Sequence, residues 1–189
     1  MQGNMPPRPK TSRPPRRLTP PRSATAARAD RAILVEIDNR QKTFAVDGRW
    51  LRGIVRQAVV AIGSRHAEIG LAIVDDAGIA ALHDLWMGLP DPTDVITFDL
   101  SSPGGDGLHG DIAVSAETAH RVARTLGWQP RYELAYYVVH GLLHLAGEDD
   151  LDPTARRMMR VRERAVMAAI GLPAPPRRRR PSPTTRGGR

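Results

Sequence analysis

His140 and His144 lie four residues apart in the run HGLLHLAGEDD, which extends from His140 to Asp150. On an α-helix that spacing sets both imidazoles one turn apart on one face, so two ring nitrogens reach a single point. Gly147 follows three residues later, where a helix commonly stops because glycine accepts the left-handed conformation. Asp150, three residues beyond the glycine, places a carboxylate where it can swing back toward the rings. Two nitrogens and one carboxylate oxygen around an open position form a catalytic-zinc ligand set. The pattern therefore points to a three-ligand metal site on His140, His144 and Asp150. Asp150 is the weakest member, because Glu148, Asp149, Asp150 and Asp152 form a local acid run. A solvated turn that caps the next helix accounts for that run equally simply, and Glu148 and Asp149 are alternative third ligands. In H-E-x-x-H zinc proteases the residue after the first histidine is the general base. Here it is Gly141, so peptide hydrolysis lacks its base.

The elements that position these residues follow from periodicity. Ala32 to Asp38 is rich in β-branched residues and reads as a strand. Asp47 caps a helical pattern in which Leu51, Ile54, Val55, Ala58, Val59 and Ile62 recur, ending near Gly63. Glu68 to Val74 is a second strand, and Ala77 to Met87 a short helix stopped by Gly88 and Pro90. Pro92, Thr93 and Asp94 form a turn into a third strand, Val95 to Phe98. Ser101 to Leu108 is a glycine-rich loop, and Asp111 to Val114 a fourth, short strand. Ala116 to Leu126 is helical, as is Arg131 to Ala146, which carries Leu134, Val138, Leu142 and Leu145 as its buried row. Asp152 and Pro153 open a last helix with Met158, Met159, Val161 and Val166 inward, closing at Gly171. The expected fold is α+β: a small mixed four-stranded sheet packed with about five helices, the metal site on a central helix and the turn after it.

Charge divides the 189 residues into three stretches. Residues 1–30 hold seven Lys/Arg and one acid, and residues 172–189 hold six Arg and no acid, together about +12. The net charge of +8 then leaves about −4 for residues 31–171, so the basic character belongs to the ends. Twelve of the 17 prolines lie in those ends, which reads as disordered tails flanking one domain. The absence of cysteine excludes disulfides and thiolate ligands. No apolar run suggests a signal sequence or a membrane span, so the expected location is the cytoplasm. Arg177 to Arg180 and the N-terminal Arg/Lys suit a polyanionic partner. The net acidity between them argues against strong binding by the domain alone.

HGLLHLAG, preceded by PTDVITF and HGDIAVS, resembles the YbeY family of bacterial endoribonucleases and rRNA maturation factors. The resemblance runs from about residue 70 to 168, in the family's motif order, and Met158, Met159 and Glu163 also suit it. It implies a metal-dependent, single-strand-directed endoribonuclease acting in rRNA maturation at the 16S rRNA 3′ end and in ribosome quality control, with rRNA and the small ribosomal subunit as partners. The family pattern H-G-x-L-H-L-x-G-Y-D-H supplies three histidine ligands, of which His140 and His144 match two. Asp150 stands at the third and Glu148 at the tyrosine. A family arginine upstream of P-T-[DN]-V is replaced by Met87.

The implied cofactor is one Zn²⁺ per chain, and the aspartate makes the site more tolerant of Mn²⁺ or Fe²⁺. The loss of the arginine removes a cation that stabilises developing phosphate charge; Arg121, Arg124 and Arg131 are candidates to replace it. Asp111, matching the family's G-D-I, is the candidate catalytic residue, orienting a ligand or water, although a strand-end turn role suits it as well. Thr93, Asp94 and Arg131 are the candidate substrate contacts, with simple turn chemistry the rival for Thr93 and Asp94. His83 and His109 read as surface or turn residues, and Trp50, Trp86 and Trp128 as core or core-edge. One rival reading is a non-catalytic ribosome-assembly factor that keeps the fold and the metal. Another is a hydrolase of a different substrate, or an iron enzyme using two histidines and a carboxylate.

Overall fold

Four strands supply the frame on which the rest is mounted. In the computed structural model, which describes residues 33–102 and 104–176, they are β1 (Ile33–Asn39), β2 (Ala67–Val74), β3 (Val95–Asp99) and β4 (Leu108–Ser115). Their order in the sheet is β1-β2-β4-β3. β2 runs parallel to both β1 and β4, and β3 is antiparallel to β4, so the sheet is mixed. The five helices among the described residues are α1 (Gly48–Ile62), α2 (Asp76–Met87), α3 (Ala116–Leu126), α4 (Pro130–Leu145) and α5 (Pro153–Ala169). This is the α+β arrangement expected from the pattern. The two tails expected at residues 1–30 and 172–189 lie outside the described residues, save for residues 172–176.

Because side chains alternate along a strand, each strand has two sets of neighbours. Ile69, Leu71 and Ile73 of β2 and Ile112 and Val114 of β4 belong to the main core with α1, α4 and α5. The alternate residues meet α2 in a small second cluster of Val74, Ile79, Ile96 and Ala113. Beyond α2 that face stays open, and Glu36, Glu68 and Asp111 are exposed on it.

The central helix α4 packs against β3, β4, α1, α3 and α5, which buries it on nearly every side. Pro130 occupies its first turn, where its missing N–H costs nothing. Gly141 lets it lie close to the sheet: a Cβ at this position would stand 2.9 Å from Ile112 Cγ2 and 3.1 Å from Thr97 Oγ1. The chain leaves the helix through Gly147 at φ +83°, as the sequence required.

Two expectations need correction. β4 begins at Leu108 rather than Asp111, because its parallel register with β2 continues from Ala67↔Leu108 to Val74↔Ser115, through glycine and histidine positions of low strand preference. On α5, Met158 and Val161 are exposed, while Met159, Glu163, Val166 and Met167 face inward. A glutamate on the inner face obscured the true apolar stripe. Trp86, 64% exposed, meets Phe98 edge-on beside the small second cluster.

Candidate metal centre

His140 and His144 sit in the last turns of α4, side by side, with ring centroids 4.5 Å apart. Their Nε2 atoms face each other at 3.1 Å. Asp150, carried back by the turn after Gly147, puts Oδ1 3.9 Å from His144 Nε2. One ligand atom from each of the three residues lies within 4.8 Å of the others. The alternatives in the acid run are engaged elsewhere. Glu148 pairs with Arg162 at 2.7 Å, and the Asp149 carboxylate accepts from the Leu151 N–H.

The hydrogen bonds on the far side of each ring bear on what the site can hold. His144 Nδ1 lies 3.0 Å from the Glu148 carbonyl oxygen, which only accepts, so the proton sits on Nδ1. His140 Nδ1 lies 2.7 Å from Glu163 Oε1 and donates to that carboxylate. In the neutral rings both Nε2 atoms therefore present lone pairs to one another at 3.1 Å. Such a pair is repulsive unless a proton is shared between them or a metal cation lies against both. Bonds of about 2.05 Å at a tetrahedral angle would separate two nitrogens by about 3.3 Å, close to the separation observed. Metal-ligating histidines characteristically donate their other N–H to a carboxylate or a carbonyl, and one of each is present. The residues fit a divalent metal.

Glu163 is the residue that sequence reasoning left without a role. It is 3% exposed, and its second oxygen accepts from the Tyr136 hydroxyl at 2.6 Å. Its signal was legible: a lone acid at i+4 from Met159 on the inner stripe of α5. Burial would lower the His140 pKa, but the hydrogen bond and charge of Glu163, with smaller contributions from Asp94 and Asp150, raise it. Burial and the bond to Glu163 hold the Tyr136 hydroxyl protonated far above its ordinary range.

A cleft of about 910 Å³ opens beside this cluster, and Glu163 lies in its wall. Thr93 and Asp94 line it, as does Arg121. The Asp94 carboxylate also accepts from Thr93 Oγ1 and the Val95 N–H, so both residues serve the turn. The other candidates are not brought here. Asp111 follows Gly110 on β4 and points to the open face, over Gly70 of β2, away from its neighbour Ile112, which packs under Gly141. Arg131 stands nine residues before His140, about 13 Å along the helix axis, and lies over the rings of Tyr132 and Trp50. Arg124 and Met87 are exposed and line no part of the cleft. His83 bonds the Asp91 carbonyl in a turn, and His109 lies on the open face near Glu68. Gly141, where a zinc protease carries its base, faces the sheet with no room for a side chain.

The family model described as Endoribonuclease YbeY matches residues 36–171. An Endoribonuclease YbeY of Moorella thermoacetica is 37% identical over 150 residues, covering 72% of this chain and 96% of that protein. One from Desulfitobacterium hafniense is 38% identical over 137 residues, covering 68% and 87%. A solution structure of a Thermotoga maritima protein, TM1509, aligns with a TM-score of 0.49 at 22% identity, covering 77% of this chain and all of that one.

Proposed function

The chain belongs to the YbeY endoribonuclease family, and from that premise we propose that it is a metal-dependent endoribonuclease that cleaves single-stranded RNA in rRNA maturation. The observation that carries the metal reading is the convergence of His140 Nε2, His144 Nε2 and Asp150 Oδ1, with both Nδ1 atoms tied to acceptors behind them. A divalent metal bound there, zinc by the ligand types and Mn²⁺ or Fe²⁺ by the aspartate, would supply Lewis-acid activation of water and neutralise charge on a phosphate.

The protein's own part is positioning. Glu163 fixes the tautomer and angle of His140, and Tyr136 holds Glu163. The Glu148–Arg162 pair anchors the turn whose carbonyl sets His144. Rigid ligands cost no reorganisation when the substrate arrives. The substrate enters along the cleft between the Pro92–Asp94 turn and α5. The rRNA and the small ribosomal subunit are the partners we assign. No described helix is long and apolar enough to cross a membrane.

Metal content by mass spectrometry, wild type beside Asp150→Ala, with cleavage of a single-stranded RNA by the same samples, tests the reading. We expect about one metal per chain, as for a single three-ligand site, falling sharply in the mutant together with cleavage. Equal metal in both proteins would remove Asp150 from the site.

One observation favours a second reading, a non-catalytic assembly factor. Met87, standing where the family has an arginine, is 54% exposed and outside the cleft. A wild type that binds metal but leaves RNA intact, with cleavage restored by Met87→Arg, would establish that reading.

A further inference from the structure

Arg157, Arg160 and Arg164 of α5 line the same cleft. At i, i+3 and i+7 they share one helix face, separated by about 4.5 and 6 Å along the axis. All three are exposed, and among the described residues none takes part in a hydrogen bond or an ion pair. Their neighbours differ. Arg162 is held by Glu148, Arg156 reaches the Leu151 carbonyl, and Arg121 across the cleft is held by Asp76 at 2.7 Å.

The carboxylates in the cleft are already committed. Glu163 serves Tyr136 and His140, Asp94 serves its own turn, and Glu133 accepts from Trp128 Nε1. Like charges spaced this closely on a helix repel, so the row is stabilised when an anion arrives. Glu163, beside Arg164 in the chain, lines the same cleft and holds His140, so the row borders the cleft one residue removed from the candidate ligands. An arginine fork matches phosphate oxygens in geometry as well as charge.

We propose that Arg157, Arg160 and Arg164 form a phosphate-binding wall that grips successive phosphates of a single RNA strand and leads its backbone to His140, His144 and Asp150. The net acidity of the middle of the chain concealed the row, because an average over residues 31–171 cannot show five arginines on one helix. The cleavage at the end of this track rests on the endoribonuclease reading, whereas the binding does not.

The test uses the full chain and a short fluorescein-labelled single-stranded RNA. Binding is read by anisotropy across a salt series, and cleavage by gel on the same samples. The triple variant Arg157→Gln/Arg160→Gln/Arg164→Gln is set beside a charge-matched control, Arg49→Gln/Arg56→Gln/Arg65→Gln, with melting curves for both. We expect the α5 variant to bind at least ~10-fold more weakly and its log–log salt slope to be shallower by about 2, at about 0.7 per lost phosphate contact on a single strand. The control should stay within about twofold of wild type, as expected where no phosphate is contacted. Equal loss in both triples, no loss in the α5 triple, or no binding by wild type would overturn the proposal. Lost binding in the α5 triple, with a wild type that binds the RNA but leaves it intact whatever divalent metal is added, would sustain the wall and sink the nuclease reading.

Discussion

On one face of the sheet Ile69, Leu71, Ile112 and Val114 lie beneath α1 and α4; on the other, Glu68, Gly70 and Asp111 look outward past the end of α2. The two faces share every strand, yet one carries the hydrogen-bonded His140–His144–Asp150 cluster and the other an open acidic surface. Backbone pleat makes the difference. Asp111 and Ile112 are adjacent, but alternation sends one away from α4 and the other under Gly141. A helix seated directly on a packed face is held from all sides, so the two histidines at its end inherit a fixed geometry. A residue on the open face has no such constraint and no route to the cluster.

The strongest way to break this contrast is to force a side chain between α4 and the sheet. Gly141→Glu would restore the protease-like motif in sequence, but it would bury a charge where even a Cβ is crowded. Its cost should exceed about 3 kcal/mol, the scale of overpacking added to an unpaired buried charge. Urea denaturation or soluble yield would show it, and a stable, well-folded variant would mean that α4 can lift from β4. Next in size is Glu163→Gln, which keeps the shape but removes the charge behind His140. A loss of about 10- to 100-fold in metal affinity is expected, by chelator competition, for a partner of this kind. Unchanged affinity would demote Glu163 to a packing residue. Smallest is Asp111→Asn on the open face. It should leave metal content at wild-type level and shift stability by no more than about 0.5 kcal/mol. Loss of metal there would erase the distinction between the faces.

Much of this was legible before any coordinates. The i, i+4 histidines, the stop at Gly147 and the carboxylate at Asp150 are local features, and local geometry follows from spacing along the chain. The caps at Asp47, Ser115 and Asp152 likewise accept backbone N–H groups within their own turns. What stayed hidden needed the third dimension. Asp111 was weighed by its motif, and a motif carries no information about which side of a sheet its acid will take. Arg131 was weighed by its charge, although nine helical residues separate it from the ligands and Trp50 and Tyr132 hold its guanidinium. Glu163 broke the apolar stripe of α5, which displaced the inferred inner face onto Met158 and Val161.

The sequence by itself determined the helix that carries the two histidines, the turn that returns Asp150 toward them, and the four strands beneath. These depend on periodicity, capping and glycine conformation, all of which act over a few residues. Only the tertiary structure decided that Glu163 stands behind His140, that Asp111 looks away, and that three unpaired arginines border the cleft. Those facts depend on how α5 lies against α4 and how β4 is inserted between β2 and β3, and packing of that range is set by the whole core.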